Sequence, residues 1–93
     1  MDNKNAPWFP PPYEKADAKA IKMLADGTAT PEQQQRALRW IIENACGTYN
    51  LSYHPTSDRD TSFAEGRRFV GLQIVKMLKI NLSALRDGPT EQP

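Results

Sequence analysis

Cysteine and histidine occur once each, as Cys46 and His54. One thiol closes no intrachain disulfide, and one thiol with one imidazole falls short of a tetrahedral zinc site. Disulfide scaffolds and zinc modules are thereby excluded, and neither a metal nor a cofactor is expected. An excess of charge of one sign is also missing: 12 Lys and Arg against 11 Asp and Glu leave a net charge of +1, which neither draws the molecule onto nucleic acid nor holds it away. No run of some 20 apolar residues is present, and the opening MDNKNAPWFPPPY has no apolar core of a signal peptide. Neither a membrane span nor secretion is predicted, and the expected compartment is the cytoplasm of the cell that makes the chain.

What is present is little: 93 residues, 39% of them hydrophobic, with a mean hydropathy of −0.68. That suits one small domain with a thin core. About a dozen inward side chains at roughly 1.5–3 kcal/mol each leave a core of this size only about 3–5 kcal/mol ahead of chain entropy. A marginal monomer that gains stability from homo-oligomerisation or from docking into an assembly is expected.

Proline is concentrated at one end. Pro7, Pro10, Pro11 and Pro12 lack amide donors and fix φ near the polyproline value, so residues 1–13 are predicted to form an extended arm. Trp8, Phe9 and Tyr13 are three of the eight aromatic residues, and a purely solvated tail gains nothing from them. Trp8, Phe9, Pro10, Pro11, Pro12 and Tyr13 are therefore read as a partner-binding, anchoring arm onto a neighbouring subunit. The alternative is a PPxY ligand for an aromatic-grooved domain.

Residues 14–86 are read as a helical domain and 87–93 as a flexible tail, giving an all-α, small three-helix domain with an extended proline and aromatic N-terminal arm. Good helix formers run from Glu14 to Ala25, with Gly27 placed to end them. Thr30, Pro31 and Gln33 supply the cap, prolyl first turn and reciprocal partner of a capping box, and Gly47 stops this second helix. Ala37, Leu38, Trp40, Ile41, Ile42 and Ala45 share its apolar arc, with Arg36, Arg39 and Glu43 opposite. Tyr49, Leu51 and Tyr53 alternate with polar residues in the connection 48–60, which is compatible with a short extended piece covering one end of the helices. Ser62 with Glu65 reads as another capping box, starting the third helix near Phe63 and running it to Leu85 or to a break near Asn81. Phe63, Val70, Ile74, Val75, Met77, Leu78, Leu82 and Leu85 form its apolar, inward arc.

Several residues of this third helix invite a chemical reading. Arg67 falls about 60° from Val70 on a helical wheel, inside the apolar arc, and needs an acceptor. An internal bidentate bond to Glu43, Asp58 or Asp60 is favoured over presentation to a phosphate or a partner carboxylate. Gly66 and Gly71 each cost about 1 kcal/mol in a helix interior relative to alanine, which predicts a close approach at both. Arg68, Lys76, Lys79 and Arg86 make the opposite face basic, a possible contact for phosphates or an acidic partner. His54 stands among Ser52, Thr56, Ser57 and Asp58, where a hydrolase-like trio can be written, but no residue positions a nucleophile. Cys46 reads as a small apolar filler. No catalytic residue is assigned.

The stretch ALRWIIENACGTYNLSY followed by DTSFAEGRRFVGLQIVKML resembles the Bbp-type virion domain encoded by tailed bacteriophages, over about Thr30 to Leu78. The matched run is T-x-F-x-E-G-R-R-x-V-G-L, carried by Thr61, Phe63, Glu65, Gly66, Arg67, Arg68, Val70, Gly71 and Leu72. Within it Glu65, Gly66, Arg67 and Gly71 are taken as a structural motif. The arm and first helix lie outside the match. The resemblance implies a noncatalytic phage structural or assembly protein, present in the host cytoplasm during assembly and then in the virion, with phage structural or packaging proteins as partners. A DNA-packaging or genome-binding factor, with weak nucleic-acid contact, and a small inhibitor of a host protein are the alternatives.

Overall fold

The computed structural model describes residues 6–85. Arg86 and the tail 87–93 lie outside the described residues, as do residues 1–5. The fold is all-α with three helices: α1 (Lys15–Asp26), α2 (Pro31–Trp40) and α3 (Asp58–Lys79). A π-helical turn, Ile41–Ala45, continues α2, and a 3-10 turn, Leu82–Ala84, follows α3. No strand occurs among the described residues, and the connection 48–60 is irregular up to Ser57.

Local chemistry explains the first two helices. Gly27 ends α1 in the left-handed region at φ 77°, where its N–H donates back to Leu24. The Thr30 hydroxyl accepts from the Gln33 N–H at 3.1 Å while the Gln33 side chain accepts from the Thr30 N–H at 2.9 Å, completing the expected capping box. The two helices run antiparallel, because Arg36 in α2 meets the first turn of α1. Its Nε donates to Asp17 at 2.8 Å and Nη2 to Glu14 at 3.0 Å. Ala20 and Ala37, both fully buried, let the two backbones lie close.

α2 does not end as a plain α-helix. The Cys46 N–H donates to the Ile41 carbonyl five residues back, and both the N–H and the hydroxyl of Thr48 reach the Ile42 carbonyl, at 3.2 and 2.7 Å. Gly47 at φ 57° makes the reversal. The widened turn takes up the carbonyls of Ile41 and Ile42 in this way and leaves those of Asn44 and Ala45 for another donor.

α3 begins five residues before the expected Phe63. The Ser57 hydroxyl accepts from the Asp60 N–H at 3.1 Å and so caps the helix, with Asp58 and Asp60 in the first turn. Ser62 is already helical, and Glu65 accepts from Ser52 in the preceding connection instead of from a capped backbone. The helix breaks at Ile80, and Asn81 caps the 3-10 turn by accepting from Ser83. Among the described residues α3 packs on the π-helical turn and on no other helix. A helix of 22 residues spans about 33 Å, so much of it stands away from the hairpin. The radius of gyration is accordingly 16.4 Å, against about 12 Å for a compact domain of this length.

The expected inward arc of the third helix is not inward. Phe63, Val70, Met77, Leu78, Leu82 and Leu85 are exposed, Ile74 and Val75 are half-buried, and the one buried residue of α3 is Gly71. The helix packs by a different face, about 100° round from Val70, because Gly71 admits Thr48 and Cys46 where any larger residue would hold them off.

Candidate functional site

The α3 face that meets the rest of the chain is built on Gly71, Arg67 and Arg68. A Cβ added to Gly71 would fall 1.7 Å from Thr48 Oγ1 and 2.9 Å from Cys46 Cβ. Thr48 and Cys46 are themselves buried, so this contact is the centre of the small core that α3 shares with the end of α2. At Gly66 the expected close approach is absent: an added Cβ would meet nothing within 4 Å among the described residues. One of the two helix glycines is thus explained inside a single chain.

Arg67 does not form the expected pair with Glu43, Asp58 or Asp60. Its Nη2 donates to the Asn44 carbonyl at 2.9 Å, Nε to the Ala45 carbonyl at 3.0 Å and Nη1 to the Pro7 carbonyl at 2.7 Å. Two of these acceptors are the carbonyls freed by the π-helical turn, where the negative end of the α2 dipole favours a cation. The third belongs to the arm. A guanidinium suits this position because its three nitrogens are spread across a planar fork and each meets a different carbonyl, whereas an ammonium would need all three carbonyls to converge on one nitrogen.

Arg68 does not join the expected basic outer face. It is half-buried, and its Nε donates to the Thr48 carbonyl at 3.1 Å. Adjacent arginines thus tie α3 to both sides of Gly47. Lys76 and Lys79 are exposed, and Arg86 lies outside the described residues. The structure therefore brings Arg67, Arg68 and Gly71 together and leaves Lys76 and Lys79 apart from them.

The arm lies on its own domain. Pro7 is buried, its carbonyl held by Arg67, and the Trp40 indole N–H donates to the Pro12 carbonyl at 3.1 Å. It is not extended throughout: the Phe9 N–H donates to the Ala6 carbonyl at 3.0 Å, closing a turn with Pro7 at its second position. From Pro10 onward the chain runs free of regular structure. The backbone is pinned at both ends, while Trp8, Phe9 and Tyr13 stay exposed. Pro10, Pro11 and Pro12 line a shallow groove with Phe9, Asn50 and Arg67.

Around His54 the polar groups serve the fold. The His54 N–H donates to the Thr61 hydroxyl at 2.8 Å and the hydroxyl returns to the His54 carbonyl at 3.2 Å. The Ser57 hydroxyl caps α3, and the Ser52 hydroxyl is bonded to Glu65. These hydroxyls hold the connection 48–60 against the first turns of α3.

The titration of Asp17 and of Arg36 is displaced. The Glu14 backbone N–H, and after it the Arg36 guanidinium, holds the Asp17 carboxyl below the usual carboxylate range. Arg36 is raised in turn by its bond to Asp17. Both belong to the α1–α2 hairpin and act on its stability.

The outward face of α3 completes the surface. Phe63, Phe69, Val70 and Met77 are 47%, 61%, 51% and 73% exposed, and Leu82 and Leu85 prolong the patch past the helix end. The whole surface measures 7446 Å², against about 5,400 Å² for a folded monomer of this mass. No family model matches the chain, and neither a curated protein nor a solved structure matches it.

Proposed function

We propose that the chain is a noncatalytic bacteriophage structural or assembly protein that works by docking, through the outward face of α3 and the aromatic arm. The observation that carries this reading is the exposure of Phe63, Val70, Met77 and Leu78 on a helix that buries only Gly71, and of Leu82 and Leu85 just beyond its end. A surface of that composition gains free energy only when something covers it, at about 25 cal/mol per Å² removed from water. The exposed rings of Trp8, Phe9 and Tyr13, on a backbone pinned by Arg67 and Trp40, offer a second contact whose ordering is already achieved before a partner arrives.

The phage setting rests on the resemblance of the run from Thr61 to Leu72 to the Bbp-type virion domain. Its glycine and arginines hold α3 to the end of α2, so the run reads as the signature of a fold, and phage structural or packaging proteins are the proposed partners. The proposed locations are the host cytoplasm during assembly and then the virion.

Quantitative mass spectrometry of purified particles of the encoding phage tests this. The chain is expected at a fixed copy number per particle. Its absence from particles overturns the structural role.

A further inference from the structure

Pro7 is buried where three parts of the chain meet. It lines a small cavity with Cys46 and Gly47 from the end of α2, His54 from the connection, and Ala64 and Arg67 from α3. A proline suits the place, because its fixed φ fits the second position of the turn that the Phe9 N–H closes onto the Ala6 carbonyl. Such a turn has little freedom to lose when it takes its seat. The Pro7 carbonyl accepts from Arg67 Nη1 at 2.7 Å, while Nη2 and Nε of the same guanidinium hold the carbonyls of Asn44 and Ala45. One planar group thus joins the arm, the end of α2 and α3.

α3 depends on that group more than a fully packed helix would. Among the described residues it packs on the π-helical turn and on no other helix, and it buries Gly71 alone. A helix with so small a seat opens separately from the rest of its domain, and once detached it is weakened further by its two interior glycines. The α1–α2 hairpin has its own tie in Arg36, bonded to Asp17 and Glu14. The arm's second anchor is likewise independent of α3, since Trp40 of α2 holds the Pro12 carbonyl. Between the two anchors the rings of Trp8 and Phe9 face solvent.

We propose that residues 6–9 form a strap that locks α3 onto the end of α2 through Arg67, so that seating of the arm and attachment of α3 are one coupled equilibrium. The coupling is reciprocal: the seated strap tightens α3, and the seated helix holds the strap. On the reading of the chain as a docking protein, a partner that binds Trp8 and Phe9 as the turn presents them also fixes α3 and the outward face it carries. The strap acts within one chain, so its test and the particle test fail separately.

Amide hydrogen exchange of the full chain, read residue by residue, tests it. Pro7→Gly removes the buried ring and frees the turn without altering any residue of α2 or α3. Exchange at residues 64–72 should then quicken about tenfold, as expected for the loss of one charge-assisted hydrogen bond, while exchange within α1 stays at the parent rate. From the other side, Gly71→Ala pushes α3 against Thr48 and should quicken exchange of the Phe9 amide, whose donor bond closes the strap's turn. Trp40→Phe frees only the Pro12 end and should leave α3 at the parent rate. Unchanged α3 exchange in Pro7→Gly, equal quickening of α1 and α3 in that variant, or a Phe9 amide that keeps its rate in a folded Gly71→Ala chain overturns the proposal. If Gly71→Ala does not fold, the Pro7→Gly measurement decides alone.

Discussion

The hydroxyl oxygen of Thr48 lies 1.7 Å from the point where a Cβ on Gly71 would stand. No rotation of an alanine methyl escapes that contact, and Thr48 is fixed by its own bond to the Ile42 carbonyl at 2.7 Å. The approach of α3 to the end of α2 therefore depends on the absence of a side chain at one position.

Gly71→Ala should destabilise the chain by about 1–3 kcal/mol, the cost of overpacking a fixed site, despite the helix propensity that alanine adds. For a domain of this size each kcal/mol lowers the melting temperature by about 4–8 °C. Thermal denaturation followed by circular dichroism measures it. The same substitution at Gly66, measured in dilute solution, should not lower the melting temperature.

Arg67→Leu leaves the carbonyls of Pro7, Asn44 and Ala45 without their donor. With charge-assisted bonds worth about 1.5–3 kcal/mol each, and water able to reach part of this half-buried site, the expected net loss is about 3 kcal/mol. Arg67→Lys should recover less than half of it, because an ammonium lacks the three-way fork. Urea denaturation of the two variants separates these outcomes; a leucine variant as stable as the parent would show that the carbonyls need no partner.

Trp40→Phe removes the donor to the Pro12 carbonyl and keeps an aromatic ring in place. A loss of about 1 kcal/mol is expected, concentrated in the arm. Hydrogen exchange at residues 8–13 should quicken while exchange within α3 stays as it was.

Asp17 makes the α1–α2 hairpin sensitive to acid. Its folded pKa lies below the ordinary value of 3.8, so the folded state binds its proton less readily than the unfolded state does. The stabilisation is complete above the ordinary carboxylate value and disappears as pH falls through the depressed one. Asp17→Asn should lower stability near neutral pH and flatten that part of the acid-unfolding curve. A parallel decline of variant and parent on acidification would assign the sensitivity to other carboxylates.

Part of this was legible before any fold was known. The stops at Gly27 and Gly47 and the capping box of Thr30 and Gln33 involve atoms within a few residues of each other, so the sequence carries both partners. The start of α3 is not legible in the sequence because Ser57, Asp60, Thr61 and Ser62 all offer acceptors, and the preceding connection decides which is used: Thr61 turns to His54, and Glu65 to Ser52. The partners of Arg67 left no trace in the sequence, since they are backbone carbonyls and any residue supplies one.

The chain by itself determined three helices, the capping box of the second, the glycine stops at Gly27 and Gly47, a proline arm and an apolar stripe on the last helix, because each follows from local geometry and period. Only the tertiary structure decided which face of α3 is used inward. A glycine contact and two arginines reaching carbonyls hold the helix by its less apolar side. Shape and hydrogen-bond geometry at the end of α2 outweigh hydrophobicity there, and the oily side is left free for another molecule.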